Sequence, residues 1–530
     1  MRSFDRQARD FMLPGIPESS IPDGPTMTDY AKRILNTRVY DVAEETPLDP
    51  MVRLSQRLDA RVLLKREDLQ PIFSFKIRGA YNRIARLDDK AKAAGLICAS
   101  AGNHAQGVAL AARKLGIPAI IVMPVTTPPI KSDAVRYWGG EVLLHGNTFD
   151  EAYAHARQLE RERGLTFIHP YDDADVIAGQ GTIAVEILHQ HPDPIEAIFV
   201  PIGGGGLAAG VASYVKFLRP EILVIGVEPV DAASMQAALA AGKPVPLERV
   251  GLFADGVAVR QVGEESFRLC RELLDDVLVV DTDAICAAIK DVFEDVRVLA
   301  EPAGALALAG LKAYAAAHPQ RQGALIAINS GANMNFDRLR HVAERAEVGE
   351  EREVLLAVRI PERAGSYHRF IQVLGNRTIT EFNYRYAGGA EAQVFVGVKL
   401  ERAGKRKDAL IAELEALDYE VVDLSANETA KLHVRYMVGG RVPGLADEMV
   451  LRVEFPERPG ALLRFLEQVG ADWNITLFHY RNHGADYGRV LVGLQVPPQD
   501  RPRFTERLTA LGYPYEDETD NDAYRLFLGG

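Results

Sequence analysis

The chain has 530 residues, 61 Lys and Arg against 73 Asp and Glu, and a formal charge of −12. That length exceeds a single core and implies about three or four domains, while the acidic balance, with no basic tract to follow a phosphate backbone, argues against nucleic acid as a partner. No apolar run is long enough to span a bilayer, and Cys98, Cys270 and Cys286, odd in number and without metal-ligand spacing, read as thiols in a reducing, cytoplasmic compartment with no metal.

Residues 1–25 contain Arg2, Arg6 and Arg9 but also Asp5 and Asp10, and they lack an apolar segment. They read as an extended, poorly ordered arm, not a targeting peptide. Over 26–337, short apolar strands such as Ala119–Met123, Ala197–Val200 and Leu223–Val227 alternate with helical patterns such as Ala105–Leu115. That alternation predicts α/β architecture with open sheets and helices on both faces. Glycine turns at the strand ends are where such sheets bind ligands.

Three turns in this region carry chemistry. The run Lys65-Arg-Glu-Asp-Leu-Gln-Pro-Ile-Phe-Ser-Phe-Lys76-Ile-Arg-Gly79 sets an amine beside Phe73, Phe75 and Ile77. Desolvation lowers a lysine's pKa, and a neutral amine attacks an aldehyde, as a Schiff-base lysine must. Alone, such a lysine is a surface residue of an amphipathic helix. Ser100-Ala101-Gly102-Asn103-His104 follows an apolar strand and opens a helix, so its backbone donors suit a carboxylate and its Asn suits a phenolic oxygen. Alone, it is ordinary turn chemistry. Gly203-Gly204-Gly205-Gly206-Leu207 also joins an apolar strand to a helix. Glycines let backbone N–H groups turn toward an anion, and the flanking core-like elements argue against a linker. The loop lacks the Lys-Ser/Thr of a nucleotide P-loop and the spacing of a dinucleotide fingerprint, so the anion is read as a cofactor's phosphate. The strand Ala324–Asn329 then ends in the hydroxyl of Ser330.

Residues 338–353 are charged and helix-like and read as a connector. Beyond them lies an internal repeat. Pro361-Glu-Arg-Ala-Gly365 recurs as Pro456-Glu-Arg-Pro-Gly460, Arg369-Phe370 as Arg464-Phe465, and, after a one-residue insertion, Phe382-Asn-Tyr384-Arg385 as Phe478-His-Tyr480-Arg481. A period this long marks a duplicated domain, here 354–430 and 446–530. Each copy reads strand, Gly-started helix, strand, strand, helix, strand, the α+β ferredoxin-like pattern. Such copies could be dimerisation or stability modules, since fold alone does not give function.

In combination, Ser-Phe-Lys76-Ile-Arg-Gly-Ala, Ser100-Ala-Gly-Asn103-His-Ala-Gln-Gly, Gly203 to Leu207 and Asn329-Ser330-Gly-Ala-Asn-Met-Asn-Phe resemble the fold-type II (tryptophan synthase β-like) pyridoxal-phosphate enzymes. Over residues 30 to 528 the chain most resembles the biosynthetic, isoleucine-regulated threonine dehydratases. The resemblance implies pyridoxal 5′-phosphate as cofactor. Lys76 then carries it as a Schiff base and, once freed, acts as general base; Asn103 contacts the ring oxygen; Gly203, Gly204, Gly205, Gly206 and Leu207 cradle the phosphate; Ser330 faces the pyridine nitrogen. A hydroxyl partner there leaves the nitrogen largely unprotonated, a weaker electron sink that favours elimination.

Ser100, Ala101, Gly102, Asn103 and His104 are then the substrate-carboxylate turn. In the similar serine racemases a Ser of this turn supplies the opposite-face acid, and the matching residue here is Ala101. That favours β-elimination of L-threonine to 2-oxobutanoate and ammonia over racemisation. The two repeats resemble ACT-like regulatory domains, for which isoleucine inhibits and valine opposes, with Tyr384, Arg385, Tyr480 and Arg481 as effector candidates in a homotetramer. Two other readings are a type II lyase acting mainly on serine, and a non-catalytic amino-acid sensor. Intact Lys76, the glycine loop and Ser330 argue against the sensor.

Overall fold

Apolar runs buried on both faces fold as parallel strands, because helices cover the sheet from each side. The strands of the first part of the chain are β1 (Leu48–Pro50), β2 (Val62–Arg66), β3 (Leu96–Ala99), β4 (Ala119–Met123), β5 (Glu141–Leu144), β6 (Thr166–Phe167), β7 (Ile195–Pro201), β8 (Leu223–Pro229), β9 (Asp276–Val280) and β10 (Ala324–Asn329). They make a six-stranded sheet of order β1-β2-β10-β7-β8-β9, parallel except at β1, and a four-stranded parallel sheet of order β5-β4-β3-β6. The expected strands and the helix over Asn103–Leu115 are present. This computed structural model describes residues 25–528 apart from 128, 321, 350–351, 376, 387–389, 401–404, 428–429, 432–433, 437–441, 457–460, 470–471, 482–486, 522–523 and 525–527. The expected N-terminal arm and the second Pro-Glu-Arg-Pro-Gly turn beyond Pro456 therefore lie outside the described residues.

Two features fix the helix that begins at Lys76. A Cβ on Gly179 would sit 2.6 Å from Gly79 Cα, and one on Gly107 would sit 3.1 Å from the Lys76 carbonyl oxygen, so glycines let the helices Ala174–Gln190 and Asn103–Leu115 lie directly against the Lys76 helix. Beneath it is a buried ionic cluster. Arg78 donates to Glu67 at 2.7 Å and to Glu186 at 2.5 Å, while Lys65 donates to Glu186 at 2.6 Å. All four side chains are at most 2 % exposed. Thr46 and Gln70 complete the hydrogen bonding of Glu67.

The chain divides into two compact units, one running to Val280 and resuming over Asp295–Asn333, the other comprising Asp281–Glu294 and Met334–Gly530. The segment Asp281–Glu294, which the sequence reading leaves inside the catalytic region, thus packs with the second unit. Lys431 and Arg345 reach Asp283 at 2.6 and 3.3 Å, and Lys290 pairs with Glu347. The expected connector is a helix over Leu339–Gly349.

In the second unit β11 (Glu353–Pro361), β12 (Ile379–Arg385), β13 (Glu391–Lys399) and β14 (Glu420–Asp423) form the first copy, and β15 (Glu448–Pro456), β16 (Asn474–Arg481), β17 (Tyr487–Gln495) and β18 (Tyr515–Asp517) the second. The copies join edge to edge in one eight-stranded sheet, β14-β11-β13-β12-β16-β17-β15-β18. β12 and β16 pair antiparallel with Phe382 opposite Tyr480 and Tyr384 opposite Phe478. This pairing hides one exposed edge of each copy, and Phe382, Phe478 and Tyr367 enter a single apolar core.

Candidate active site

The Lys76, Asn103, Gly203 and Ser330 turns all follow the carboxyl ends of parallel strands, β2, β3, β7 and β10 respectively. The loop before Lys76 is stitched to the Ser330 turn: Phe75 N–H donates to Ser330 O at 3.2 Å and Ala332 N–H to Phe73 O at 2.9 Å. Phe73 adopts φ +55° to allow this, a conformation that costs a non-glycine residue on the order of 1 kcal/mol or more. Lys76 then opens its helix with its amine 5.2 Å from the Phe75 ring centroid, donating to Pro170 O at 2.9 Å. Burial lowers its pKa to about 8, opposed by the charge of Glu301.

Pro170 belongs to His169–Asp173, a segment the sequence reading missed. Asp172 accepts from the N–H groups of Glu264, Glu265 and Ser266 at the start of one helix, and Asp173 caps the helix Ala174–Gln190. Tyr171 fills the space that glycine leaves in the loop: a Cβ on Gly204 would lie 2.2 Å from its ring, and one on Gly206 2.5 Å from its carbonyl oxygen. The only signal for this segment was the Asp-Asp pair, typical of helix N-caps. Gly205 takes φ +95°, and Gly206 and Leu207 begin the helix Gly206–Leu218, whose first N–H groups have no intrahelical acceptor.

Asn103 is held at both ends of its amide. Its Nδ2 donates to Glu301 Oε1 at 2.6 Å, and its Oδ1 accepts from Asn333 Nδ2 at 2.7 Å. Glu301, also missed, is buried, and burial together with Asp255 raises its pKa to about 7. Ser330 is buried and donates to Ala303 O at 3.2 Å. Gly102 donates to Ser100 Oγ and has open space where a side chain would stand, so the Ser100-to-Asn103 turn is uncrowded at Gly102. The His104 side chain points elsewhere. It is buried with Nε2 3.0 Å from Ile168 O, and burial lowers its pKa to about 3, so it stays neutral and only its backbone remains near the turn.

A desolvated amine, a glycine turn too crowded for any Cβ at Gly204 or Gly206, and helix-start donors fit pyridoxal phosphate: Lys76 would meet the aldehyde, Gly203 to Leu207 the phosphate, and Asn103 and Ser330 the ring. A lysine at about 8 holds roughly 300-fold more neutral amine at pH 7 than an ordinary one. Cofactor uptake by cofactor-free protein should therefore quicken about tenfold from pH 6 to 7 and level off above pH 8. Stopped-flow absorbance reads this directly, and a rate still climbing at pH 10 would show an unperturbed amine.

In the second unit, the Tyr384 hydroxyl lies 2.6 Å from both carboxylate oxygens of Glu362 and lines a small pocket, with a cavity volume of about 10 Å³, together with Ile360, Gly365, Tyr367, Asn474 and Ile475. The Tyr367 hydroxyl there is buried without a hydrogen-bond partner among the described residues. Arg385 is not part of this pocket; it pairs with Glu448 at 2.5 Å and donates to Leu528 O, bracing the seam between copies. Tyr480 is buried opposite Phe382, and the Arg481 side chain lies outside the described residues.

Comparison with known proteins agrees with this geometry. Residues 39–331 match the model of pyridoxal-phosphate dependent enzymes, and 344–434 and 439–528 each match the C-terminal regulatory domain of threonine dehydratase. The chain is 60 % identical over 503 residues to the biosynthetic L-threonine dehydratase IlvA of Burkholderia multivorans, covering 94 % of this chain and 99 % of that one. It is 56 % identical over 514 residues to that of Escherichia coli, covering 97 % and 99 %. A solved chain of the processed form of threonine deaminase isoform 2 from Solanum lycopersicum superposes with TM-score 0.60 at 49 % identity, over 63 % of this chain and 94 % of that one. With the lysine, the glycine cradle and two regulatory copies all in place, the chain belongs to the family of biosynthetic threonine dehydratases.

Proposed function

We propose that the chain deaminates L-threonine to 2-oxobutanoate and ammonia, at the committed step of isoleucine biosynthesis in the cytoplasm, under feedback from branched-chain amino acids. The observation that carries the first half is a desolvated lysine amine and a crowded glycine turn at the carboxyl ends of β2 and β7, the two strands that flank β10 in one sheet. When bound, pyridoxal phosphate supplies the electron sink that acidifies the Cα–H of the amino acid and lets the β-hydroxyl leave. The protein's part is positional and acid–base. Neutral Lys76 takes the Cα proton. The Ser100-to-Asn103 turn holds the carboxylate, and Ala101, with no proton to give, leaves the opposite face without an acid, which favours elimination over racemisation. The neutral Ser330 hydroxyl keeps the sink moderate.

The regulatory half rests on the pocket at the seam of the two copies, whose cavity of about 10 Å³ must open to admit an amino acid. A free amino acid brings an ammonium, a carboxylate and a branched apolar chain. Glu362 suits the first, the start of the helix Ser366–Leu374 after Gly365 suits the second, and Ile360 and Ile475 suit the third. Isoleucine as inhibitor and valine as its antagonist, acting on a homotetramer, complete the reading, with effector and substrate affinities linked reciprocally.

The test is 2-oxobutanoate formation from L-threonine with added cofactor, with and without L-isoleucine. Turnover that becomes weaker and more sigmoidal supports both halves. Turnover without an isoleucine response removes the regulatory half, and turnover confined to L-serine reassigns the substrate. Glu362→Gln should raise the isoleucine concentration for half-inhibition about tenfold, since a charge-assisted hydrogen bond is lost. An unchanged value would move the effector away from this pocket.

A further inference from the structure

An asparagine amide has one accepting end and one donating end of nearly the same shape, so its neighbours decide which way it faces. At Asn103 that decision can be followed back to a backbone carbonyl. The Ile72 carbonyl only accepts, and Asn333 Nδ2 donates to it at 2.8 Å. The same Nδ2 donates its other hydrogen to Asn103 at 2.7 Å, so Asn103 presents its oxygen there. Its NH₂ end is then turned to Glu301 Oε1, which takes one hydrogen at 2.6 Å, and the second N–H is left for another acceptor. Glu301 is itself tied to this corner by a backbone hydrogen bond from Asn333. Both Gly331 and Gly256 pack against its carboxyl, where a Cβ would come within 2.6 and 3.4 Å of Oε1.

We propose that Asn333 is a positioning residue: with Ile72 and Glu301 it locks the Asn103 amide in one orientation, so that an N–H, never the carbonyl, faces the phenolic oxygen of the cofactor ring. The inference rests on the reading that Asn103 contacts that oxygen. A flipped Asn103 would set a carbonyl lone pair against an electron-rich oxygen, replacing an attractive contact by a repulsive one. Glu301 alone cannot prevent the flip when it is protonated, because a carboxylic acid offers a donor as well as an acceptor. Asn333 can, since both its hydrogens are committed. The charged groups around Glu301 are Asp255, Lys131, which pairs with Asp255 at 2.5 Å, and Lys76.

The experiment compares Asn333→Ala, Asn103→Ala and the double variant as full-length holoenzymes, reading the visible absorption maximum of the bound cofactor and its dissociation constant. Losing one hydrogen bond to the ring weakens cofactor binding about tenfold. Asn333→Ala should move the band and the dissociation constant in the same direction as Asn103→Ala, and the double variant should go no further than Asn103→Ala, the signature of residues acting through one contact. Asn333→Leu, similar in size and without donors, should give the same result and serves if the alanine variant folds poorly. A merely structural Asn333 would lower the melting temperature without moving the band. If Asn103→Ala shifts both readouts and Asn333→Ala neither, the positioning role is wrong while the Asn103 contact stands. If Asn103→Ala shifts neither, the contact itself falls, and the proposal with it.

Discussion

Replacing Lys76 by alanine should reduce turnover by roughly 10³-fold or more and abolish the cofactor's visible band, yet leave the fold intact. The two effects separate because of where the amine sits. Among the described residues its hydrogen bond is to the Pro170 carbonyl, and burial already penalises its charged form. Removing it therefore discards no structural ion pair. Alanine is also the best helix former, at the first residue of the helix Lys76–Ala85. The cofactor-free variant should melt no lower than the cofactor-free parent. Lys76→Arg is the informative companion, since a guanidinium stays charged and cannot serve as the neutral nucleophile. Residual 2-oxobutanoate formation above about 1 % of the parent in either variant would remove Lys76 from the chemistry.

How much of this was legible in the sequence depended on whether a signal was local. Lys76, Gly203 to Leu207 and Ser330 stand out because each lies in a short run whose neighbours already define a strand end, a turn and a helix start. The repeat was legible because identity recurs at a constant displacement. The partners of Asn103 were not: Glu301 is 198 residues away, and nothing beside it distinguishes a site carboxylate from a helix N-cap. Asn333 stands inside the Asn329-Ser330-Gly-Ala-Asn-Met-Asn-Phe motif, but its task depends on Ile72 O, a backbone atom that carries no residue-type signal. Arg385 shows the converse. Its repeat-related position suggested an effector ligand, whereas the edge-to-edge pairing of β12 and β16, which periodicity cannot reveal, turns it onto Glu448. His104 was read through its neighbours in the turn, and only the packing against Ile168 shows the ring facing the core.

Glu186→Gln should destabilise the catalytic unit by about 3–5 kcal/mol at pH 7, the largest stability effect expected of a side chain that touches no ligand. In the parent, Lys65 and Arg78 balance Glu67 and Glu186, all buried. Arg78, Lys65, Thr46 N–H and Tyr40 all donate to Glu186, and Arg78 lies one helical half-turn beyond Lys76. Glutamine keeps most of the shape but leaves two buried cations sharing one carboxylate. Arg78 cannot shed its proton, whereas Lys65 can, since burial already lowers its pKa and Glu186 opposes that shift. In the variant the Lys65 pKa therefore falls further below its unfolded value. The folded state then binds fewer protons than the unfolded one, so stability must rise with pH through the window between the two values. Urea denaturation of parent and variant at pH 7 and pH 9.5 tests this sign. The deficit should be smaller at the higher pH, and a deficit that is constant or grows would mean that Lys65 is not the group relieving the charge. Because the cluster lies directly beneath the helix that carries Lys76, the same variant should lower kcat at pH 7 even where it remains folded, and recover part of it as Lys65 becomes neutral.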